Sequence, residues 1–283
     1  MALFQCCLIG SSGCFKGEHD EDAPESILEG SQLLLKDAER KLEMREDVES
    51  IIRLLEESVE LDGENIHALY LLGYVLYTLK GQPDPAEAYL NKVLLLKNDH
   101  QKTLSTLGFL FSEKGWYEES ASYLERATEL DAQDTKAWEC LGVVYKKSGK
   151  EQNAVDAYLK AVALNTRDAT TYYNLANIYH DMKEEKKSIM SYEKAIEINP
   201  NHFDAWYNLG VVHQEYGNME KALECFEKSA ETNPELQEAR EQCILLRSYL
   251  ENKKAKEERA ATKKQKSFFG KKKKGDSAKA IAA

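Results

Sequence analysis

"TKAWECLGVVYKKSGKEQNAVDAYLKAVALNTRD", residues 135–168, decides the fold of this chain. Its first half places large and small apolar residues three and four positions apart, at Trp138, Leu141, Gly142 and Tyr145. Its second half does the same at Ala154, Tyr158 and Ala161. Such spacings put the apolar residues on one side of a helix. The stretch therefore predicts two short amphipathic helices joined by a turn at Gly149.

The pattern recurs every 34 residues, as shown by the turn positions Gly81, Gly115, Gly149, Lys183 and Gly217. It defines five repeats, at 66–100, 101–134, 135–168, 169–202 and 203–236. An earlier interval, 26–65, keeps the end of the second helix at Leu61-Asp62 but lacks the Leu-Gly pair of the first helix. No single helix pair can bury its apolar side alone, so neighbouring pairs are expected to stack.

This pattern resembles the tetratricopeptide repeat (TPR) family, in particular the superhelical type found in O-GlcNAc transferase. The resemblance implies an all-α, right-handed superhelical solenoid of antiparallel helix pairs, with a degenerate first pair at 26–65. Apolar residues spaced by three and four between Leu236 and Leu250 predict a capping helix over 237–262. The remaining ends are expected to be a flexible N-terminal segment, 1–25, and a disordered basic tail, 263–283.

In this family the first helix of each repeat lines a concave groove, at its second, fifth, sixth, ninth, twelfth and thirteenth positions. Carried onto this sequence, the candidate peptide-binding residues are Lys102, Thr106, Phe109, Lys136, Glu139, Val143, Tyr173, Asn174, Asn177, Asp181, Tyr207, Asn208, Val211 and Glu215. They form a mixed surface with aromatic anchors. Such a surface suits an extended peptide or a partner helix.

Asn174 and Asn208 occupy equivalent positions and resemble two rungs of the asparagine ladder of O-GlcNAc transferase, which holds a peptide backbone. The alternative is that they are ordinary solvated polar residues. The carboxylate clamp of some co-chaperones is disfavoured. Asn177 and Asn208 match its asparagines, but Tyr173, Glu238 and Gln242 stand where it requires cations.

Charge is divided unevenly along the chain, whose formal net charge is -11. Residues 253–283 hold 12 basic and 3 acidic residues, so the other 252 residues carry -20. An acidic body repels phosphate backbones, which argues against nucleic acid as its partner. The tail's "KKQKSFFGKKKKG", residues 263–275, could contact an anionic membrane surface, with Ser267 as a phosphorylation switch. A nuclear import signal, an RNA contact and a solubilising tail are its alternatives.

The N-terminal "MALFQCCLIGSSGCF", residues 1–15, contains the candidate S-acylation sites Cys6 and Cys7 among apolar residues. The alternative is a start without a role. It makes a poor secretory signal, and Ala2 excludes N-myristoylation. Cys140, Cys225 and Cys243 lie far apart on predicted apolar faces, where they are expected to be buried thiols. This cysteine usage favours a reducing, cytoplasmic compartment.

Catalytic motifs such as HExxH and GxSxG do not occur, and no Cys/His cluster has zinc-like spacing. His213 replaces the motif tyrosine and is predicted to be a packed core histidine. We therefore expect no cofactor or metal, and a non-enzymatic scaffold or adaptor that binds a protein segment during complex assembly. The alternatives are a peripheral membrane tether anchored through the two ends, and an accessory subunit of an enzyme.

Overall fold

The computed structural model describes the backbone of residues 25–281 and the side chains of residues 26–263. Every regular element in this range is an α-helix, and consecutive helices pack in pairs. This confirms the prediction of an all-α repeat fold. The chain divides into two compact units, the first ending at Asn98 and the second beginning at Asp99.

The first unit contains two helix pairs: α1 (Glu25–Glu43), α2 (Val48–Leu61), α3 (Ile66–Thr78) and α4 (Pro83–Leu96). Although the degenerate interval lacks the Leu-Gly pair, α1 and α2 approach closely at Ser31 and Ser58. Each serine hydroxyl donates a hydrogen bond of 2.9 Å to the backbone carbonyl of the other serine. Both side chains are fully buried, so these bonds satisfy groups that water cannot reach.

The second unit contains four helix pairs and a terminal helix. The first helices of the pairs, called here the A helices, are α5 (Gln101–Glu113), α7 (Thr135–Lys147), α9 (Ala169–Asp181) and α11 (Phe203–Glu215). The second helices, called the B helices, are α6 (Tyr117–Leu130), α8 (Glu151–Leu164), α10 (Glu185–Ile198) and α12 (Met219–Thr232). The terminal helix is α13 (Gln237–Ile281).

Each A helix is joined to its B helix by a turn that includes one residue of positive φ. In three pairs this residue is a glycine, with φ of 77° at Gly115, 71° at Gly149 and 82° at Gly217. Lys183 occupies the same position in the third pair with φ of 62°. A left-handed conformation costs a non-glycine residue about 1–2 kcal/mol, which explains the glycine at the other turns.

Adjoining repeats of the second unit share their cores. One cluster combines Leu124 of α6, Leu141 of α7, Tyr158 of α8 and Ile178 of α9. The next combines Ala176 of α9, Tyr192 of α10, Leu209 of α11 and Cys225 of α12. Because each cluster draws on at least two repeats, a repeat cannot bury its apolar residues without its neighbour.

The start of α13 covers the last repeat, as the sequence predicts. Ala239, Cys243 and Leu246 are buried, and the last two pack against Ala222 and Phe226 of α12. The helix is longer than expected, because it continues through the predicted tail to Ile281. Residues 251–281 contain no proline and are rich in lysine, glutamate and alanine, which all favour helix. None of the helices in the described range is long and apolar enough to span a bilayer.

Candidate protein-binding surface on the A helices

The predicted groove residues all lie on the A helices, and we call the surface that they form the A-helix face. Side-chain contacts link consecutive A helices along this face. Lys146 of α7 lies 3.0 Å from Asp181 of α9. Asn208 of α11 is hydrogen-bonded to Tyr173 and Asn177 of α9. The face is therefore a continuous surface built from successive repeats.

Asn208 acts as a brace between the last two repeats. Its Nδ2 donates to Oη of Tyr173 at 3.2 Å and to Oδ1 of Asn177 at 3.1 Å. The same Oδ1 accepts a hydrogen bond from the hydroxyl of Tyr192, whose ring is fully buried in α10. An amide nitrogen has two hydrogens, so both donors of Asn208 are engaged within the protein.

Asn174, at the equivalent position of the preceding repeat, behaves differently. Its side chain is half-buried and makes no hydrogen bond to any other described residue. Its amide can therefore both donate to and accept from a bound peptide group. The two asparagines that look alike in sequence thus differ, one being a structural brace and the other an open hydrogen-bonding group.

The aromatic residues of the face contribute to packing as well as to its surface. The Tyr173 ring centroid lies 4.8 Å from that of His202 and 6.1 Å from that of Tyr192. Tyr207 meets Phe226 edge-on, with 5.2 Å between ring centroids. Both tyrosines are half-buried, so replacing either would disturb the core together with the surface.

Ion pairs follow one rim of the face, where a residue at the twelfth position of one repeat meets the thirteenth position of the next. Lys146 pairs with Asp181 at 3.0 Å, and His180 pairs with Glu215 at 3.0 Å. The hydrogen bond from His180 lowers the pKa of Glu215. Because both pairs are solvent-exposed, they contribute little stability, and their main effect is to fix how neighbouring repeats align.

One of the predicted groove residues is buried in the structure. Thr106 is only 5% exposed, and its hydroxyl donates to the carbonyl of Lys102 one turn earlier. A short β-branched side chain can satisfy its hydroxyl within its own helix, so it needs no solvent. The exposed predicted residues are Lys102, Lys136, Val143, Asp181 and Glu215. The half-buried ones are Phe109, Glu139, Tyr173, Asn174, Asn177, Tyr207, Asn208 and Val211.

Sequence reasoning missed a set of contacts at the starts of the A helices. Asp134 caps α7 by accepting from the Ala137 amide, and its carboxylate also accepts from Ser105 and Gln101 of α5 at 2.8 Å. The Thr171 hydroxyl of α9 likewise lies within hydrogen-bond distance of two carboxylates, those of Glu139 on α7 and of Asp168. The rings of Tyr173 and His202 are also in contact. Burial, and then the nearby Asp168, raises the pKa of Glu139. An aspartate directly before a helix is a recognisable cap, so this signal was present in the sequence.

The cysteines of the second unit are suited to packing rather than chemistry. Cys225 and Cys243 are buried as predicted, whereas Cys140 is half-buried. Burial raises the pKa of Cys140 to about 11 and that of Cys225 to about 12, which keeps both thiols protonated at neutral pH. Across residues 26–263, no three His, Cys, Asp or Glu side chains are grouped to hold a metal ion. Cys6, Cys7 and the Ser267 side chain lie outside what the structure describes.

His213 is buried in α11, as predicted from its place in the repeat, with 6% of its surface exposed. Desolvation is the main cause that lowers its pKa, and Lys221 adds to the effect. The carboxylates of Glu193, Glu185 and Glu224 oppose it. Burial dominates, so the folded state favours the neutral imidazole.

We expect acid to destabilise the fold through His213. Its pKa is lower when folded than the usual 6.5 or so, so below that pH the unfolded chain binds more protons and stability falls. In His213→Tyr this contribution disappears, because tyrosine does not titrate in this range. The melting temperature should therefore drop less between pH 7.5 and pH 5.5 than in wild type. His213→Phe should behave alike, and an unchanged pH dependence in both variants would contradict the assignment.

Comparisons with known proteins agree with this architecture. TPR models match residues 66–100, 102–134, 146–183 and 167–235. The crystal structure of MamA is 31% identical, with a TM-score of 0.56, and the match covers 58% of this chain and 95% of MamA. YrrB, described as a TPR protein with an unusual peptide-binding site, is 23% identical, with a TM-score of 0.60. The match covers 65% of this chain and 95% of YrrB. Pseudomonas aeruginosa pilF is 18% identical, with a TM-score of 0.63, and the match covers 77% of this chain and 98% of pilF. No curated protein matches the chain.

The helix pairs and their shared cores define an α-helical repeat protein. The family matches then identify the kind of repeat. The chain belongs to the tetratricopeptide repeat family.

Proposed function

We propose that this protein is a non-enzymatic scaffold or adaptor that binds an extended protein segment on the A-helix face and so assembles a complex. The observation that carries the proposal is the row formed by Val143, Asn174 and Val211, one residue on each of three successive A helices. Val143 is exposed, the amide of Asn174 is open, and Val211 is half-buried. TPR proteins commonly bind protein partners, and the likeness to YrrB is in keeping with a peptide ligand.

The dimensions of this row suit an extended chain. Packed helices lie about 8–10 Å apart, so α7, α9 and α11 together span roughly 20 Å. About six residues of an extended segment cover that distance. One peptide group of the segment would pair with the Asn174 amide, and apolar side chains on either side would contact Val143 and Val211. The braced Asn208 holds α9 and α11 in place, which reduces the ordering cost of binding.

Photo-crosslinking in cells tests this surface and captures the partner directly. Benzoyl-phenylalanine introduced in place of Val143 should form discrete adducts with one or a few proteins. Met190, on B helix α10, is the matched control, because it is an exposed apolar residue away from the A-helix face. Adducts of the same kind and yield from position 190, or none from position 143, would refute the groove proposal.

Val143→Asp combined with Asn174→Ala should weaken the binding of a crosslinked partner's segment at least about 10-fold. The reason is that a charge replaces an apolar contact and the open amide is lost. Isothermal titration with the synthetic segment measures the dissociation constant. Met190→Asp introduces the same charge elsewhere and should leave the constant within about twofold of wild type. Equal losses in both variants would attribute the effect to net charge instead of the A-helix face.

A further inference from the structure

The motif tyrosine makes a defined hydrogen bond in the second repeat of the second unit. Tyr145 lies in α7, and its hydroxyl donates a hydrogen bond of 2.6 Å to Oε1 of Glu125 on the preceding B helix. Two repeats later, His213 takes the tyrosine position and Glu193 takes the glutamate position. Imidazole is shorter than phenol and does not form this bond. The replacement therefore leaves space and an unmatched polar atom where the other repeat has a filled contact.

A cleft of about 370 Å³ occupies this place, between B helices α10 and α12, with α11 beneath. Trp206, Leu209 and His213 of α11 line it together with Cys225 and residues of α10. This volume is at the small end of ligand pockets, so it suits a single side chain better than a whole peptide. The cleft lies on residues other than the fourteen of the A-helix face.

The residue that replaces the motif tyrosine is less well satisfied than the tyrosine would be. Nδ1 of His213 is buried and has no hydrogen-bond partner, although the side chain is only 6% exposed. A buried polar atom without a partner destabilises the fold, so this position is packed less favourably than the one that Tyr145 fills.

The charges and the aromatic wall indicate which group fits. Glu193, Glu197 and Glu224 line the cleft together with one cation, Lys221, and Glu197 is also paired with Lys194 at 2.8 Å. The indole of Trp206 is held in place because its Nε1 donates to the carbonyl of Pro200 at 2.9 Å. A positively charged group is attracted to the face of a tryptophan and to carboxylates.

We propose that this cleft, here called the His213 cleft, binds the arginine side chain of a protein partner. The planar guanidinium would stack on Trp206 and donate to the surrounding glutamates. Guanidinium presents five N–H donors in a fixed plane, so it can serve these acceptors at once. An ammonium group has three donors on one point charge and stacks less well, so lysine is the poorer ligand.

Nuclear magnetic resonance on the full chain tests the proposal with N-acetyl-arginine-N-methylamide as the probe. The chain has three tryptophans, so the indole signal of Trp206 can be assigned with a Trp206→Phe variant. At constant ionic strength, the signal should shift and saturate with a dissociation constant in the millimolar range. The corresponding lysine probe should bind at least about fivefold more weakly, and the uncharged citrulline probe should cause no saturable shift. No saturable response to arginine, or an equal response to lysine, would overturn the assignment.

Two variants test whether the shift of the Trp206 indole signal arises from binding in the His213 cleft. His213→Tyr restores the motif residue and fills the cleft, so it should abolish the shift while circular dichroism confirms the fold. Glu193→Gln removes one lining charge and should weaken arginine binding at least threefold. Glu235→Gln, an exposed acid outside the cleft, is its control and should bind as wild type. An unchanged response in His213→Tyr would place the probe elsewhere and refute the proposal. Val143→Asp should not alter the response, so this test is independent of the proposed binding on the A-helix face.

Discussion

Replacing Phe226 with alanine is expected to lower the free energy of unfolding by about 3–5 kcal/mol, the range for truncating a buried aromatic residue. The ring is fully buried in α12 and contacts Tyr207 of α11. It also belongs to the cluster that contains Cys243 and Leu246 of α13. Removing it leaves a cavity between the last repeat and the helix that caps it.

Urea denaturation of the full chain measures this loss. A thiol reagent provides a second measurement, because Cys243 becomes accessible if the start of α13 loosens. Tyr216→Ala is the control, since this side chain is 38% exposed, and it should change stability by about 0.5 kcal/mol or less. A loss below about 1 kcal/mol in Phe226→Ala, with unaltered Cys243 reactivity, would show that the ring does not hold α13 in place.

Gly142→Ala should give the second-largest effect, a net loss of about 1–3 kcal/mol, the usual range for overpacking. A Cβ at this position would lie 2.6 Å from Cε2 and Cζ of the Tyr158 ring. That ring is rigid and almost fully buried, so α7 and α8 must move apart to accept the methyl group. The better helix propensity of alanine, about 1 kcal/mol, offsets only part of the cost.

Thermal and urea unfolding report this loss, and the repeat that follows supplies the control. It has Ala176 at the same position, facing Tyr192. Ala176→Gly relieves no clash and should lose about 1–2 kcal/mol, through the lower helix propensity of glycine and the loss of a buried methyl group. If Gly142→Ala is as stable as wild type or more stable, the glycine is not required for the approach of α7 and α8.

The repeat architecture could be predicted from the sequence because its signals are local. Spacings of three and four residues determine which side of a helix is apolar, and the glycine turns recur every 34 residues. Small residues such as Gly142 opposite large ones such as Tyr158 indicated close helix pairs, and the structure has them in contact. The capping role of Ala239 and Leu246 followed from the same spacing.

The A-helix face was less predictable, because its side chains take partners from the neighbouring repeat. Asn174 and Asn208 hold the same position, yet only Asn208 faces a tyrosine and an asparagine that accept its hydrogens. Thr106 has the right position for the groove but bonds to its own helix. Rotamers and contacts between repeats decide such differences, and positional matching does not include them.

His213 illustrates both what could be predicted from the sequence and what could not. The sequence identifies it as a departure from the repeat and predicts its burial, which is correct. The sequence does not show that the shorter ring leaves a cleft or that its Nδ1 lacks a partner. Both features depend on the distances between α10, α11 and α12.

The Asn208 brace and the rim ion pairs have a consequence for how such a chain can be rearranged. If the repeats 135–168 and 169–202 exchanged places, Asn208 would face Glu139 and Val143, and His180 would lie beside Lys147 instead of Glu215. Tyr173 and Asn177 would then meet Cys140, which cannot replace the amide. Repeats that share one fold are therefore not interchangeable modules here. Residues 169–236 form the smallest set of whole repeats that keeps the Asn208 brace intact when it is duplicated or grafted.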